Sequence, residues 1–127
     1  MAERQLLDTV VLIEYLRGRS EAVDYLESLT SDLYLSVISV TELFAGVKSD
    51  EEAKSIEQLL QAFVVLPVTE KTARRGGRYR RKYRPSHGTG LADALIAATS
   101  EESGANLVTF NRRHFSMISG IMVPYER

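Results

Sequence analysis

Four polar side chains stand where the sequence passes from an apolar run into a polar or helical segment. Asp8 directly follows an apolar run, and Glu42 lies shortly after a second one. Asp93 is near the start of an alanine-rich apolar segment, and Asn111 follows the apolar run 107–110. Carboxylate and amide oxygens are the ligands that hard divalent cations such as Mg²⁺ and Mn²⁺ prefer. These residue types therefore suit a metal site, provided that the fold brings them together.

Bringing the acidic side chains together has an electrostatic cost. Two carboxylates ~4 Å apart repel each other by roughly 4 kcal/mol when the effective dielectric constant is about 20. A cluster of Asp8, Glu42 and Asp93 must therefore take up protons or bind a cation. A divalent ion with oxygen ligands is the usual solution in proteins.

Each of these residues also has a purely structural explanation. Asp8 could cap the helix that follows it, and Glu42 could complete a capping box with Ser39. Asp93 suits the first turn of a helix because the helix dipole favours a carboxylate there. Asn111 could cap the short turn that follows it. No single position is therefore specific, and the prediction depends on whether the four converge.

The elements that would position these side chains alternate between strands and helices. Strands are predicted around 6–7 and at 33–39, 63–68, 106–109 and 121–123, with the third interrupted by Pro67. Helices are predicted at 10–17, 20–29, 39–47, 50–60, 70–83 and 91–103, with Ser20 and Ser39 as N-caps and a loop at 85–90. This alternation predicts an α/β fold, a three-layer α/β/α sandwich with a central, mostly parallel sheet. Ligands of such sheets bind beyond the carboxyl ends of the strands, where these four side chains would lie.

Composition limits the classes of protein and of site. The 127 residues, 44% of them hydrophobic, predict one domain covering 1–127. The absence of cysteine excludes disulfides, thiolate metal sites and cysteine nucleophiles. The segment Met1–Thr9 lacks the features of a signal peptide, and no uncharged apolar run approaches the ~20 residues that span a bilayer. We therefore expect a cytoplasmic protein without a membrane partner.

A basic segment contrasts with the formal net charge of -1. Half of the 16 lysines and arginines lie between 71 and 84, with Tyr79 and Tyr83 interleaved. The RNA-binding candidates among them are Arg74, Arg75, Arg78, Arg80, Arg81, Lys82 and Arg84. Such a run is either a solvated helix face or a surface that follows an RNA backbone, with tyrosines available to stack on bases. Gly76-Gly77 is expected to weaken the helix in its middle and to leave it mobile before substrate binds.

Four segments resemble the successive motifs of PIN-domain nucleases, especially the VapC-type toxins of toxin–antitoxin pairs. They are Leu-Asp-Thr at 7–9, Val-Thr-Glu-Leu at 40–43, Leu-Ala-Asp-Ala-Leu-Ile-Ala at 91–97 and Leu-Val-Thr-Phe-Asn-Arg-Arg-His-Phe at 107–115. They match in order and spacing over essentially the whole chain. The resemblance implies a metal-dependent endoribonuclease, a PIN-like fold, a homodimer and a cognate antitoxin that covers the acidic groove. The RNA substrate could be structured, such as tRNA or rRNA.

The resemblance also implies roles for individual residues. Asp8, Glu42 and Asp93 would be the metal ligands, and Asn111 would occupy the place of a fourth acid. Thr9 and Thr109 match hydroxyl positions that orient water or ligands. Because Asn111 removes one negative charge, the number of Mg²⁺ or Mn²⁺ ions, one or two, stays open. One ion would activate water and a second would stabilise the leaving 3′ oxygen, which gives 5′-phosphate and 3′-hydroxyl products.

Other classes of protein explain the sequence less well. Hydrolases of the aspartyl-phosphate type normally carry a second Asp two residues after the first, where this chain has Val10. A receiver module would need an acidic pair at the first strand end. A catalytically silent, RNA-binding PIN domain and an RNA-processing nuclease that is not a toxin remain as alternatives. His87 and His114 are expected to be structural or exposed, because the implied chemistry needs no histidine.

Overall fold

A parallel sheet forms the centre of the computed structural model, which describes residues 4–30 and 32–127. The predictions that fall on residues 1–3 and 31, including part of the first segment and of the single domain, lie outside the described residues. The strands are β1 Arg4–Leu7, β2 Asp32–Ser36, β3 Val64–Leu66 and β4 Asn106–Val108. Within the described residues the strand order is β3-β2-β1-β4, and every pair is parallel. The predicted parallel sheet is confirmed.

Helices cover both faces of this sheet. They are α1 Thr9–Leu16, α2 Ser20–Ser28, α3 Val37–Ala45, α4 Asp50–Leu60, α5 Glu70–His87 and α6 Leu91–Ser103, followed by a 3₁₀ turn at Arg113–Phe115. Adjacent residues of β1 point to opposite faces, as strand geometry requires. Leu7 packs in one core cluster with Val11, whereas Leu6 packs in a second cluster with Ile96 and Phe115. The two clusters give the three layers that the sequence predicted.

The start of α3 differs from the prediction in a way that matters for the site. Strand β2 ends at Ser36, whose hydroxyl accepts a hydrogen bond from the backbone N–H of Ile38 at 3.1 Å. Ser39 is therefore fully buried inside the helix and is not its cap. The β-branched residues 37–38 favour a strand locally, but the cap at Ser36 turns them into the first turn of the helix. The capping-box explanation of Glu42 is wrong.

Helix α5 is longer than predicted. It passes through Pro85, reaches His87 and ends at Gly88, whose N–H donates to the carbonyl of Arg84 at 3.0 Å. A proline removes one backbone hydrogen bond, which an exposed last turn tolerates because its carbonyl can bond to water. Gly88 has φ 70, the left-handed conformation that commonly ends helices. The predicted loop at 85–90 is therefore wrong for its first three residues.

Helix α5 is continuous across Gly76-Gly77, and the expected weakening and mobility of the helix at these glycines stay a prediction. A Cβ at Gly76 would lie 2.8 Å from Cδ2 of Leu95, whereas a Cβ at Gly77 would meet nothing within 4 Å. Gly76 therefore allows α5 and α6 to approach closely, and the packing compensates for its low helix propensity.

Smaller differences concern caps and strand ends. Arg19, and not Ser20, is the N-cap of α2, and its side chain makes no capping bond. Strands β3 and β4 are shorter than predicted. The last predicted strand is reduced to one isolated bridge between Val108 and Met122, with the N–H of Thr109 donating to the carbonyl of Met122 at 3.0 Å. None of the described helices combines the length and apolar character needed to cross a bilayer.

The C-terminal residues are fixed to α1 through a buried carboxylate. Tyr125 donates its hydroxyl to Glu14 at 2.6 Å, and Arg127 also binds this carboxylate. Burial, followed by the bond to Glu14, raises the pKa of Tyr125 to about 12. The strap 122–127 therefore holds the end of β4 and the loop that follows it, where two of the predicted site residues lie.

Candidate functional site

Asp8 lies at the carboxyl end of β1 and caps α1. Its Oδ1 accepts from the backbone N–H of Thr9 at 2.8 Å, and its Oδ2 accepts from the hydroxyl of Thr109 at 2.8 Å. Only 8% of the residue is exposed. The capping explanation of Asp8 is correct for one carboxylate oxygen, and the other oxygen bonds to a residue at the end of β4.

The surroundings of Asp8 disfavour its charge. Burial is the largest influence and raises the pKa of Asp8 to about 6. The hydrogen bonds from Thr109 and from the N–H of Thr9 lower this pKa. The negative charges of Asp93 and Glu42 raise it further. Like charges raise a carboxyl pKa only when they are near, so these acidic groups share one electrostatic environment. A positive charge at this position would be stabilised.

Thr9 connects Asp8 to Glu42. The hydroxyl of Thr9, the first residue of α1, donates to Oε1 of Glu42 at 2.6 Å, and its oxygen lies 2.7 Å from the hydroxyl of Ser39. Glu42 is in the second turn of α3 and is exposed to solvent. Ser39 and Thr9 therefore orient a carboxylate that would otherwise be free on the surface.

Asp93 lies in the first turn of α6, where its Oδ2 accepts from the backbone N–H of Gly90 at 3.2 Å. The helix-start explanation is therefore correct for this residue too. The same oxygen is 3.2 Å from Nδ1 of His114, and the side chain of Asp93 is 27% exposed. Asp93 thus stabilises the helix end and also faces the loop that follows β4.

Asn111 lies in that loop, just before the 3₁₀ turn. Its N–H donates to the hydroxyl of Thr109 at 3.1 Å, its Nδ2 is 2.7 Å from Nδ1 of His114, and its Oδ1 accepts from the N–H of His114 at 3.4 Å. The turn-capping explanation of Asn111 is supported by this last bond.

A single network of hydrogen bonds and close polar contacts joins the predicted metal ligands with Thr9, Thr109 and Asn111. In order it contains Glu42, Thr9, Asp8, Thr109, Asn111, His114 and Asp93, and Ser39 joins it at Thr9. Within 4–30 and 32–127, no three acidic or histidine side chains are close enough together to form a ready-made metal site. In this arrangement hydroxyl and amide groups bind the carboxylates. The donor set of three carboxylates nevertheless has the oxygen chemistry that suits a hard divalent ion.

Two members of the network were not predicted as site residues. Ser39 was expected to be a helix cap, and His114 was expected to be structural or exposed. The spacing of His114, three residues after Asn111, is the signal that could have identified it. Residues three apart in a tight turn lie side by side.

The predicted RNA-binding cations all lie on α5 but differ in their surroundings. Arg74 forms an ion pair with Glu70 at 2.8 Å, and Arg75 lies 3.6 Å from Glu102. Arg80 is half-buried. The exposed remainder consists of Arg78, Arg81, Lys82 and Arg84. These four form the part of the basic surface that is available to a phosphate backbone.

A groove of about 380 Å³ opens between α1, α3 and α4, next to the network. Its apolar lining consists of Ile13, Leu16, Leu43, Val47 and Ile56. Glu42 also lines the groove, so this carboxylate belongs both to the network and to the apolar surface.

Comparison with known proteins gives one consistent result. Residues 6–120 match the family model of the PIN domain. Ribonuclease VapC10 of Mycobacterium tuberculosis is 42% identical over 123 residues, 94% of this chain and 92% of that protein. Ribonuclease VapC19 of the same organism is 40% identical over 125 residues, 95% and 99% of the two chains. A toxin–antitoxin complex from Klebsiella pneumoniae contains a chain with a TM-score of 0.83 and 30% identity, covering 97% of this chain and 99% of that one.

Proposed function

The chain belongs to the PIN-domain family, and we propose that it is a metal-dependent endoribonuclease, the toxin of a VapBC-type toxin–antitoxin pair. One observation carries the proposal. Asp8, Glu42 and Asp93, which come from three different elements, share one electrostatic environment at the carboxyl edge of the sheet. The names of the similar ribonucleases support the class of reaction.

Asp8, Glu42 and Asp93 would hold Mg²⁺ or Mn²⁺. Burial and two nearby negative charges disfavour the charged form of Asp8, and a bound cation would stabilise it, which supports this assignment. When bound, such an ion would supply Lewis acidity for the activation of water and for the stabilisation of charge on the phosphodiester. With Asn111 in place of a fourth acid, a second ion would bind more weakly than the first.

The neutral residues of the network would keep the carboxylates in place. Thr109 fixes Asp8, and Thr9 fixes Glu42, each through a hydroxyl that donates to the carboxylate. Both threonines are buried, so their hydroxyls exchange little with water. Preorganised ligands lose less conformational freedom when an ion or a substrate binds, which favours tight binding.

RNA is the proposed substrate, and α5 is the proposed surface for its backbone. Arg78, Arg81, Lys82 and Arg84 are exposed there, whereas Arg74 and Arg75 already have acidic partners and would contribute less. The C-terminal end of α5 reaches the network, because Gly88 lies against His114. A strand following these cations would therefore pass close to Asp93.

An antitoxin is the proposed protein partner. Glu42 lines the apolar groove, so a partner could place an apolar segment in the groove and a cationic side chain on the carboxylates. Leu91, 61% exposed and two residues before Asp93, offers further apolar surface that a second copy of the chain could cover in a homodimer. Co-purification with the product of the neighbouring small gene would test the first contact, and light scattering would test the second.

An RNA cleavage assay tests the proposed activity. Total RNA is incubated with the purified protein in Mn²⁺ or in EDTA, in parallel with the variants Asp8→Asn and Asp93→Asn. We expect cleavage that needs Mn²⁺ and is lost in both variants, whereas Lys54→Gln, an exposed change on α4, cleaves like the wild type. Equal cleavage by Asp8→Asn and the wild type would disprove the proposed site.

A silent RNA-binding PIN domain is the second candidate, favoured by Asn111 and by the lack of a ready-made three-ligand group among the described residues. It predicts RNA binding without Mn²⁺-dependent cleavage. A nuclease of RNA processing would cleave RNA, but its expression would not arrest growth. Relief of growth arrest by the neighbouring gene product therefore separates the toxin from this alternative.

A further inference from the structure

His114 occupies a position between two predicted site residues. Its Nδ1 lies 2.7 Å from Nδ2 of Asn111 and 3.2 Å from Oδ2 of Asp93. We propose that His114 is a positioning residue that sets the orientation of both side chains and thereby completes the metal site. The proposal deepens the proposed function and rests on it.

The imidazole is held in place by its surroundings, as a positioning role requires. The hydroxyl of Thr89, which is fully buried, donates to the carbonyl of His114 at 2.8 Å. A Cβ on Gly88 would lie 3.3 Å from Nε2, so the glycine that ends α5 allows the ring to pack against the backbone. Phe115, the next residue, is completely buried and anchors the turn. The ring is thus fixed by backbone and core and not only by its polar partners.

Nδ1 of His114 faces both Asn111 and Asp93 but can bond to only one of them at a time. Both atoms of the Asn111 amide face His114, since Oδ1 accepts from the backbone N–H and Nδ2 donates toward the ring. A ring nitrogen that accepts from this amide cannot also donate to the carboxylate. Asp93 is held by the N–H of Gly90, and in the tautomer that carries the proton on Nδ1 the ring instead donates to Oδ2 of Asp93.

The same bonds assign a role to Asn111. With both amide atoms directed to His114, Asn111 acts through the histidine and not as a direct ligand. Groups that orient metal ligands typically change metal affinity or activity by ~10–100-fold when they are removed.

Two variants at one position separate positioning from packing. His114→Phe keeps a ring but removes both ring nitrogens, whereas His114→Asn removes the ring but keeps an amide near the place of Nδ1, whose oxygen can accept from Asn111 and whose nitrogen can donate to Asp93. We expect His114→Phe to raise the dissociation constant for Mg²⁺ about 10–100-fold, measured by calorimetry, and to lower kcat for RNA more than it raises KM. We expect His114→Asn to recover much of the affinity. His87→Phe is the matched control, because His87 is the other histidine of the chain and bonds to its neighbour Ser86.

A spectroscopic readout complements the affinities. Ring ¹⁵N signals of the wild type should shift for His114 and stay unchanged for His87 when Mg²⁺ is added without RNA. The positioning role would be overturned if His114→Phe bound Mg²⁺ as tightly as the wild type does, or more tightly than His114→Asn does. Protein that binds Mg²⁺ with the expected differences but does not cleave RNA would overturn the proposed function alone.

Discussion

Thr109 donates its hydroxyl to the carboxylate of Asp8 at 2.8 Å, although the two residues are 101 positions apart in the chain. Both are buried, and they lie at the ends of the adjacent strands β4 and β1. The bond lowers the pKa of Asp8 against the larger effect of burial. Asp8 therefore keeps enough anionic character to bind a cation while remaining an unfavourable charge when none is bound.

The first prediction concerns stability in EDTA as a function of pH. The pKa of Asp8 is raised from 3.8 to about 6, so between these values the folded protein binds more protons than the unfolded chain. The contribution of Asp8 is thus present below pH 3.8 and is lost as pH rises to about 6. A shift of this size corresponds to about 3 kcal/mol in the free energy of unfolding. Urea titrations at several pH values measure it.

Asp8→Asn is the control for this pH dependence. Without the buried charge, the variant should be more stable than the wild type above pH 6 in EDTA, and the difference should vanish near pH 4. Other groups act in the opposite sense, as at Glu14, where burial raises the pKa but the bonds from Tyr125 and Arg127 and the positive charges of Arg127 and Arg19 together lower it. The difference between the two proteins isolates Asp8. A difference that does not change with pH would contradict this explanation of the pKa.

The second prediction concerns Thr109. Thr109→Val removes the donor to Asp8 and the acceptor for the N–H of Asn111. Buried groups left without partners cost about 1–3 kcal/mol, and metal affinity should fall by ~10–100-fold. Thr109→Ser retains the hydroxyl and should bind Mg²⁺ nearly as the wild type does. Calorimetry measures the Mg²⁺ affinity of both variants. Equal Mg²⁺ affinities of Thr109→Val and Thr109→Ser would refute the role of the hydroxyl.

The third prediction uses the two adjacent glycines of α5. Gly76→Ala places a methyl group 2.8 Å from Cδ2 of Leu95, so the cost of moving this side chain should offset the gain in helix propensity and leave the variant less stable than Gly77→Ala by about 0.5–1 kcal/mol. Gly77→Ala adds a methyl group in open space and should stabilise the helix by about 0.5–1 kcal/mol. Denaturant unfolding of both variants measures the change in the free energy of unfolding. Equal effects at the two positions would mean that α5 and α6 do not pack as described.

The fourth prediction concerns RNA binding by α5. Replacing Arg78 or Arg81 with Gln should weaken binding of an RNA strand and make the dependence of log affinity on log salt shallower, by ~0.7–0.9 for each phosphate no longer neutralised. Arg74→Gln should change the slope less, because its ion pair with Glu70 already occupies the side chain. Lys54→Gln on α4 is the control. Filter binding between low and moderate salt gives the slopes, and identical slopes for Arg78→Gln and Lys54→Gln would exclude α5 as the RNA surface.

Much of the fold was predictable because strong local signals and tertiary packing agree. The run before Asp8 and the run before Thr109 are apolar enough to be strands, and both are confirmed as β1 and β4. Gly104 ends α6 in the left-handed conformation, and the helix has the predicted bounds 91–103. These positions carry the site, which explains why the network contains every side chain that the motifs indicated.

The wrong predictions arise where two local signals compete. Ser36 and Ser39 can both cap a helix, and only the burial of Ser39 against Thr9 decides between them. Pro85 suggests a loop, yet Gly88 provides a better end for the helix three residues later. Local sequence cannot rank such options, because the deciding contact comes from a distant element.

The role of His114 was not predictable from residue type. An isolated histidine next to Phe115 resembles a core or surface residue in the sequence. Its contact with Asp93 depends on how α6 and the 3₁₀ turn pack together. The pairing of Arg75 with Glu102 was equally hidden, since it depends on which face of α5 meets α6, whereas Arg74 pairs with Glu70 one turn earlier on the same helix.

The central claim is that three carboxylates from separate elements share one divalent ion. Crystals of the wild-type protein soaked in Mn²⁺ test it most directly, through the anomalous scattering of the metal. We predict an anomalous peak in contact with Asp8, Glu42 and Asp93, and its disappearance in Asp8→Asn crystals soaked in the same way. A peak away from these side chains, or none at a saturating Mn²⁺ concentration, would contradict the claim.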